Sequence, residues 1–348
     1  VGTVVVIDRI ARRAEDVARA LGPTALARPA HLDALDGAAA LLIAAPLEGP
    51  KGRSRPSPLE QAVGAGTPVV TVTDRITEVQ WLLTLSGRAR SAGTVVVVGA
   101  AMAPGLTDVL ALWAAAGFDT VDEVHVSKAG TGGPACARQH HRALGEESLD
   151  WREGEWARRA GGSGRELVWF PGPLGGQDCY RAGLPDAVLL APAFPGVQRV
   201  TARLAATRRD RVTAPLPMLR PPHPEGEVGA VRVEVRGRRG SARHEAVVGV
   251  SGPPAVVAGA VAAVSVLWAL RGGFARAGHG AGTAGTAGPP GTAGTAGTGG
   301  GAGAGAAGAG AAGLAELVAD PVPFLAELSR RGVTVEAFEG RAAPRALA

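Results

Sequence analysis

The first 120 residues alternate short β-branched runs with helix-length segments, and this alternation constrains the fold more than any other feature. Unbroken apolar runs are typical of strands buried on both faces, and they occur at residues 3–7, 41–45, 69–73 and 94–98. Helical segments follow them at residues 11–21, from residue 57, at 76–85 and at 106–116. Strands and helices of these lengths predict an α/β fold, a Rossmann-like, doubly wound parallel sheet.

Two of these helices carry local signals of their own. In the first, Ala14, Val17, Ala18 and Leu21 form one apolar stripe, and Gly22 is a typical C-terminal stop. The second begins with the sequence Ser-Pro-Leu-Glu at residues 57–60, which predicts a capping box with proline at the first helical position.

The pattern changes near residue 121, where we place a second, inserted α+β domain spanning residues 121–252. Apolar and charged residues alternate there with period two, which predicts a half-buried antiparallel strand. The alternating residues are Val231, Arg232, Val233, Glu234, Val235 and Arg236. Further strand candidates lie at residues 124–126, 166–170, 197–205 and 244–250. We expect a largely antiparallel sheet of about five strands with one solvated face.

The C-terminal part contains an apolar run and a low-complexity tract. Residues 255–270 are apolar but shorter than the roughly 20 residues that span a bilayer, so a buried or subunit-interface helix is expected rather than a membrane segment. Residues 280–313 contain only Gly, Ala and Thr apart from Pro289 and Pro290, which predicts a flexible insertion. A G-x-G-x-x-G pattern at residues 303–308 lies inside this tract and is not taken as a nucleotide motif. Segments 253–279 and 314–348 are expected to return to the first domain (residues 1–120) as helices and a strand.

The basic charge of the chain does not indicate nucleic-acid binding. The formal net charge is +5, but of 36 basic residues only Lys51 and Lys128 are lysine, and asparagine is absent. This bias is typical of GC-rich coding, and aromatic residues make up only 4% of the chain. Two cysteines exclude a disulfide scaffold, and no signal peptide is visible, so we expect a cytoplasmic protein.

Asp8 is the candidate nucleotide contact, because it ends the first strand. A carboxylate at such a strand end accepts the ribose hydroxyls of NAD, whereas an arginine such as Arg9 accommodates the 2′-phosphate of NADP, so both cofactors stay open. The alternative is that Asp8 only caps the following helix. Seven residues precede Asp8, too few for a strand, a glycine-rich turn and a helix, so we expect the first βα unit to be missing from this chain.

A glycine-rich turn followed by a helix at residues 130–142 is the candidate substrate site. Thr131 and Gly132 lie in the turn, where helix-terminal N–H groups bind a carboxylate, and Arg138 supplies a bidentate cation.

Candidate acid–base residues accompany this turn. Hydride transfer to an imine or carbonyl needs a proton donor, and His140 or His141 is the first candidate, with Tyr180 second. The competing interpretation is that paired histidines are surface or packing residues. A metal site of Cys136, His140 and Cys179 is possible on spacing, but two isolated cysteines argue against it, and no metal is expected.

The order of motifs resembles the saccharopine dehydrogenase family, in particular its saccharopine-reductase-like NAD(P)-binding members. The matching segments are residues 4–9, 42–46, 65–74, 99–106 and 324–333. Two features depart from the family pattern: the glycine fingerprint is missing, and the family's Tyr-Val-Asp is replaced by Thr71-Val72-Thr73-Asp74.

The resemblance implies a Rossmann domain interrupted by an α+β domain that binds a small-molecule substrate and often forms a homodimer. It also implies that Ala44, Ala45 and Pro46 approach the ribose and nicotinamide, and that Pro104 and Gly105 lie beside the nicotinamide. The expected function is an NAD(P)-dependent oxidoreductase acting on a C–N or C=O centre of a small carboxylated substrate. The alternative is a non-catalytic dinucleotide-binding or scaffold protein that retains the fold.

Overall fold

A computed structural model describes residues 2–29, 35–47, 57–218, 221–223, 226–275 and 308–337. The N-terminal part alternates strands and helices. Its elements are β1 (Val4–Ile7), α1 (Ala11–Leu21), β2 (Ala25–Arg28), β3 (Leu41–Ile43), α2 (Pro58–Gly64), β4 (Val69–Thr71), α3 (Ile76–Thr84), α4 (Ser86–Ser91), β5 (Val95–Val97) and α5 (Leu106–Ala115).

The remaining elements form the larger part of the molecule. They are β6 (Thr120–Ala129), α6 (Pro134–Ala143), β7 (Ser148–Arg152), β8 (Glu155–Arg159), β9 (Glu166–Phe170), β10 (Gly175–Arg181), α7 (Asp186–Leu190), β11 (Arg199–Ala205), α8 (Arg208–Thr213), β12 (Gly229–Arg239), β13 (Ala242–Gly252), α9 (Pro254–Leu270), β14 (Gly310–Ala312), α10 (Leu314–Leu317), α11 (Pro321–Ser329) and β15 (Glu336–Ala337). A short 3-10 turn, Ala191–Ala193, follows α7.

The predicted fold class is confirmed, since parallel sheets with helices accompany a larger mixed sheet. β1 and β2 form a two-stranded parallel sheet, and a four-stranded parallel sheet has the order β14-β5-β4-β3. The capping box of α2 is present: Glu60 N–H donates to Ser57 Oγ at 3.3 Å, and Ser57 N–H donates to Glu60 Oε2 at 2.8 Å.

Burial of the N-terminal strands was predicted wrongly. Val4 and Val5 of β1 are 45% and 37% exposed, and Leu42 of β3 is 44% exposed. In α1, only Ala14 and Ala18 of the predicted stripe are buried. The physical reason is that β1 pairs only with β2 among the described strands, so this small sheet has one helix to pack against.

The larger sheet has nine strands rather than five. Its main path is β15-β13-β12-β6-β11-β10-β9, with β7 pairing β11 and β8. Most pairs are antiparallel, but β11 pairs β6 in parallel. β7, β8 and β10 were not predicted from the sequence. Their sequences are polar or glycine-rich and lack the alternation of β-branched and charged residues that identified β12.

The polar face of β12 is less solvated than predicted. Glu234 is 6% exposed and forms ion pairs with Arg232 (2.6 Å) and with Arg236. Arg236 also contacts Glu123 of the neighbouring strand at 3.4 Å. Long side chains of opposite charge cover Glu234 and Arg232, whereas Arg236 remains 48% exposed, so only part of this face is shielded from water.

The C-terminal elements also correct the sequence interpretation. Most of the Gly/Ala/Thr tract lies outside the described residues, but Gly310–Ala312 at its end form a buried strand paired with β5. Small residues are needed there, since a Cβ at Gly313 would lie 2.9 Å from Asp108 Oδ2. The final strand pairs with β13 of the large sheet and does not return to the first domain.

Helix α9 has a buried side, as the sequence indicated. Its residues Val257, Val261 and Val264 are buried in the main core. Among the described residues, the structure contains no helix whose length and apolarity would allow it to cross a membrane.

Helix α5 joins the two sheets into one core. It is buried along most of its length and packs against β12 and β13 on one side and against α7, α10 and α11 on others. This packing sets the C-terminal half of β6 opposite the carboxyl ends of β3, β4 and β5, and the main cavity lies there.

Candidate functional site

A cavity of about 680 Å³ lies between the carboxyl ends of the parallel strands and the start of α6. One wall is formed by the segments that follow β3, β4 and β5, and it contains small or apolar side chains together with Asp74, Arg75 and Glu78. The opposite wall is formed by β6 and α6 and carries most of the polar groups. These are Lys128, Cys136, Arg138, Gln139, His140 and Arg142. Ligands of open α/β sheets bind at the carboxyl ends of the strands, which is where this cavity lies.

Three charged or ionisable side chains meet across the cavity. Asp74 Oδ2 lies 3.5 Å from Lys128 Nζ and 3.3 Å from His140 Nε2. Lys128 Nζ also donates to the carbonyl oxygen of Ala103 at 3.3 Å. The three groups come from the loop after β4, from β6 and from α6, so the site joins both parts of the molecule.

The protonation states of this cluster follow from burial and from the partners. Burial would raise the pKa of Asp74, but Lys128 and His140 outweigh it and lower that pKa to about 2. Burial and Lys128 lower the pKa of His140, whereas hydrogen bonds with Asp74 and Cys136 raise it, and the net direction is upward. The cluster therefore holds a carboxylate beside an imidazole that favours its protonated form.

Cys136 is the fourth member of the cluster. It lies one helical turn before His140, and its Sγ is 3.5 Å from His140 Nε2. Burial raises the pKa of the Cys136 thiol, whereas the hydrogen bond with His140 and the nearby positive charges lower it. The lowering effects together are larger, so the pKa of Cys136 is below its usual value.

The N-terminus of α6 opens toward the same cavity. Gly133 is the N-cap residue and offers no side chain to cap the first turn, whose N–H groups point toward the glycine-rich turn. Gln139 is 7% exposed and lines the cavity; its Oε1 accepts a hydrogen bond from Arg142, while its Nε2 has no protein partner. A buried amide donor without a partner favours a ligand acceptor at this position.

The structure places most of the predicted cofactor residues on the cavity wall or beside it. Ala44, Ala45 and Pro46 line the cavity. Pro104 and Gly105 lie directly after the lining segment 101–103, and Gly105 has φ +114 with a Cβ position blocked by the carbonyl oxygen of Gly99.

Asp8 and Arg9 are not among the residues that line the cavity, and they directly follow β1 of the separate two-stranded sheet. Asp8 Oδ1 accepts a hydrogen bond from the N–H of Ile10 at 2.8 Å. Ile10 is itself the N-cap residue of α1 and no side chain caps that helix, so the structure does not show the capping role of the alternative interpretation.

The two histidines are separated by the structure. His140 lines the cavity, whereas His141 Nε2 contacts the carbonyl oxygen of Leu216 at 2.9 Å and does not line it. Among the candidate substrate residues, Arg138 and Gly132 line the cavity, and the Thr131 carbonyl oxygen accepts a hydrogen bond from Glu227 N–H.

Tyr180, the second acid–base candidate, does not line this cavity, so the structure does not bring it together with His140. It is 3% exposed, packs with Leu144 and Leu184, and carries the guanidinium of Arg211 over its ring at 5.4 Å. Cys179 packs among apolar side chains including Val168 and Phe170. Burial raises the pKa of Cys179 to about 12, which makes this thiol a poor metal ligand.

Sequence reasoning missed Asp74 and Lys128 as site residues. A signal for Lys128 was present: it is one of only two lysines among 36 basic residues, and it lies just after the predicted strand 124–126. Lysine and arginine differ in size and in charge distribution, so a retained lysine indicates a position that a guanidinium does not suit. In the sequence, Asp74 stands out only as the last residue of Thr71-Val72-Thr73-Asp74, which replaces the family's Tyr-Val-Asp.

Two further carboxyl groups are buried in the protein and do not line the cavity. Asp108 and Asp186 are both fully buried, and Thr107 Oγ1 donates to Asp186 Oδ1 at 2.8 Å. Burial, and then the proximity of Asp186, raise the pKa of Asp108 well above its usual range. Burial raises the pKa of Asp186 as well, with Lys128 and Thr107 opposing it.

The comparisons with known proteins show the fold. No family model matches the chain, and no curated protein sequence matches it. Apo histidine-tagged saccharopine dehydrogenase (L-Glu forming) from Saccharomyces cerevisiae matches with a TM-score of 0.58 at 12% identity, covering 97% of this chain and 94% of that one. The chain has the fold of saccharopine dehydrogenase.

Two further structures are similar over smaller parts. GenD2 from gentamicin A biosynthesis in complex with NAD has a TM-score of 0.34 at 15% identity, covering 70% of this chain and 64% of that one. The DAP dehydrogenase of C. glutamicum in complex with DAP has a TM-score of 0.38 at 15% identity, covering 78% and 89%.

Proposed function

We propose that this protein is an NAD(P)-dependent oxidoreductase that acts on a C–N or C=O centre of a small carboxylated substrate. The observation that carries the proposal is the Asp74–Lys128–His140 cluster, which lies in a cavity at the carboxyl ends of the parallel strands. The yeast protein with the same fold is a saccharopine dehydrogenase, which supports an oxidoreductase role for this one.

The cavity wall formed by the parallel strands fits the nicotinamide end of a dinucleotide. Ala44 and Ala45 after β3, and Ala101 and Ala103 after β5, leave room for a flat ring close to the backbone. Such a ring supplies a hydride when it is bound. Asp8 remains the proposed ribose contact and Arg9 the proposed contact for a 2′-phosphate, so NAD and NADP are both candidates.

The opposite wall fits the carboxylate of a substrate. The uncapped N–H groups of α6 attract an anion, Arg138 lies on the cavity surface, and Gln139 Nε2 is a buried donor without a protein partner. Together these donors would orient a small carboxylated molecule with its reacting carbon toward the parallel strands.

His140 is the proposed proton donor. Its imidazolium would give a proton to the substrate nitrogen or oxygen as the adjacent carbon gains a hydride, and in the reverse direction the neutral ring would take that proton back. Asp74 keeps the ring protonated and fixed, and Lys128 holds Asp74 as a carboxylate. Proton transfer from His140 in this scheme requires neither a metal ion nor a covalent bond between the substrate and the protein.

A homodimer is the proposed assembly, as the family resemblance implied. β9 is an edge strand of the large sheet, and its side chains Leu167 and Trp169 are 59% and 64% exposed. Exposed apolar side chains on a strand edge favour association with another chain. Light scattering should give twice the chain mass, and the Trp169→Lys variant should shift the protein toward monomer.

The experiment that tests the function measures cofactor binding and turnover separately. Fluorescence titration with NADH and NADPH reports binding, and oxidation of each cofactor is then followed with a panel of 2-oxo acids, with and without primary amines. Turnover with a member of the panel supports the proposal. Cofactor binding without turnover would favour the alternative of a non-catalytic dinucleotide-binding or scaffold protein.

The adjacent histidines provide a matched pair of variants. His140→Gln should lower kcat by roughly 10²–10⁴-fold, the usual contribution of a general acid, while His141→Gln should leave kcat unchanged. Equal effects of the two substitutions would remove His140 from the mechanism. Asp8→Ala should weaken NAD binding more than NADP binding, and equal weakening would argue against the ribose contact.

A further inference from the structure

The side chains of Asp74, Cys136 and His140 form a cluster with the composition of a transition-metal site. One ligand atom from each lies within 4.8 Å of the other two. Cys136 and His140 are separated by four positions on α6, a spacing that puts both on one face of the helix, and Asp74 reaches them from the loop after β4.

The two measured distances in this cluster match the edges of a tetrahedral zinc site. Zn–S bonds of about 2.3 Å and Zn–N bonds of about 2.0–2.1 Å place sulfur and nitrogen about 3.5 Å apart, and nitrogen and oxygen ligands about 3.3 Å apart. Cys136 Sγ is 3.5 Å from His140 Nε2, and Asp74 Oδ2 is 3.3 Å from the same nitrogen.

Hydrogen bonding alone satisfies this arrangement poorly. Both Cys136 Sγ and Asp74 Oδ2 approach the same ring nitrogen, and an imidazole nitrogen offers either one N–H donor or one lone pair. It can therefore make a full hydrogen bond to only one of them. A metal ion between the three atoms uses the lone pair of His140 and contacts the other two at the same time.

We propose that Asp74, Cys136 and His140 bind one zinc ion, or another borderline-soft divalent cation, with the fourth coordination position open to the cavity. A thiolate and an imidazole select zinc-like ions over Mg²⁺ or Ca²⁺, which prefer oxygen ligands. All three residues line the cavity, so an ion reaches the site from solvent and a water or ligand atom completes the coordination. Lys128, which contacts Asp74 at 3.5 Å, places a positive charge beside the ion and limits its affinity.

The site has a regulatory consequence that rests on the proposed function. His140 cannot hold a metal ion and deliver a proton at the same time, so bound zinc would inhibit hydride transfer, and a chelator would restore it. Zinc binding does not depend on whether zinc inhibits hydride transfer, so zinc binding is tested on the protein without cofactor or substrate.

Metal binding is tested with tag-free, full-length protein treated with chelator and then dialysed. Zn²⁺ affinity is measured by competition with a chromophoric chelator, and Co²⁺ replaces Zn²⁺ as a spectroscopic probe. We expect one metal ion per chain and a near-ultraviolet thiolate-to-cobalt charge-transfer band.

The variants assign the ligands. Cys136→Ser should abolish the charge-transfer band, and it should weaken Zn²⁺ binding by more than the roughly 10–100-fold that changes outside the coordination shell cost. Cys179→Ala is the matched control, because its thiol lies elsewhere among apolar side chains, and it should retain both band and affinity. Lys128→Met should bind Zn²⁺ more tightly, since it removes the neighbouring positive charge.

Two results would overturn the metal site. One is wild-type protein that gives no charge-transfer band, and the other is Zn²⁺ affinity that is the same in Cys136→Ser as in the wild type. Protein that binds Zn²⁺ but shows no turnover even after chelator treatment would leave the metal site supported and remove the proposed function. Turnover that Zn²⁺ does not inhibit would remove only the regulatory consequence.

Discussion

The carboxyl group of Asp74 on the cavity wall and those of Asp108 and Asp186 in the core have pKa values that shift in opposite directions. Asp74 contacts Lys128 and His140, and its pKa falls to about 2. Asp108 and Asp186 are fully buried, and the pKa of each rises. Burial raises the pKa in all three cases, so the contacting cations decide the protonation state.

The opposite pKa shifts distinguish a carboxylate on the cavity surface, Asp74, from carboxyl groups packed in the core, Asp108 and Asp186. Asp74 stays ionised at the cavity surface, where its charge can act on His140. Asp108 lies at the start of α5 beside the first turn of α10, and burial raises its pKa, which favours the neutral form of the carboxyl group. A neutral acid can be packed in a core at small cost, whereas an unpaired carboxylate cannot.

The largest expected effect is kinetic. Asp74→Asn removes the charge that raises the pKa of His140, so less of the ring is protonated at neutral pH, and kcat for reduction should fall by about 10²-fold. The rate-against-pH profile should lose activity at a lower pH than the wild-type profile does. Asp108→Asn is the control: it changes a buried acid outside the cavity and should leave both kcat and the profile as they are.

Lys128→Met should produce the largest loss of stability. It leaves Asp74 without its ammonium partner, and removal of one member of a mostly buried pair costs about 3 kcal/mol at neutral pH. Urea unfolding at pH 7 measures the loss. Arg158→Met, which breaks an exposed pair with Glu147, should cost less than about 1 kcal/mol. If the double variant Lys128→Met/Asp74→Asn were no more stable than Lys128→Met alone, the two side chains would not be coupled.

Asp74→Asn should lower the free energy of unfolding at pH 7 by about 2 kcal/mol, since its pKa differs by nearly two units between the folded and unfolded states. The folded-state pKa is depressed, so this stabilisation is present above the unfolded value of 3.8 and is lost as the pH falls toward 2. Wild type and variant should therefore converge in acid. Equal stability at pH 7 would show that the ion pair contributes nothing.

Asp108→Asn should raise the free energy of unfolding, whereas Asp74→Asn should lower it. The folded-state pKa of Asp108 is raised, so wild-type stability falls as the pH rises above the unfolded value of 3.8, and a neutral amide avoids that loss. The variant should be more stable than the wild type at pH 8, and the difference should shrink toward pH 4. A variant that is less stable at pH 8 would mean that Asp108 is ionised in the fold.

Much of the architecture was accessible from local patterns. The runs around Val69–Thr71 and Val95–Val97 predicted buried parallel strands, and the capping box predicted the start of α2 at Pro58. Strand Gly310–Ala312 was not predictable in this way, because its Gly and Ala residues have low strand propensity. Only the tertiary structure shows that Gly310 lies close to α4, where a Cβ would be 3.0 Å from Ser86 Oγ.

The candidate site was predicted in part. The glycine-rich turn and α6 were identified as polar and functional, and His140, Arg138 and Gly132 do line the cavity. The choice between His140 and His141 was left open, since both lie on one helix and only the packing of that helix decides which side faces the cavity.

The sequence by itself determined the order of strands and helices, because β-branched runs, helical periodicity and capping residues act over a few positions. Only the tertiary structure decided which side chains meet. Asp74 and Lys128 are 54 positions apart, and Tyr180 lies in a different cavity from His140 despite an equally suggestive sequence context. Contacts of this kind depend on how two sheets pack around α5, and side-chain periodicity along the chain carries no record of that packing.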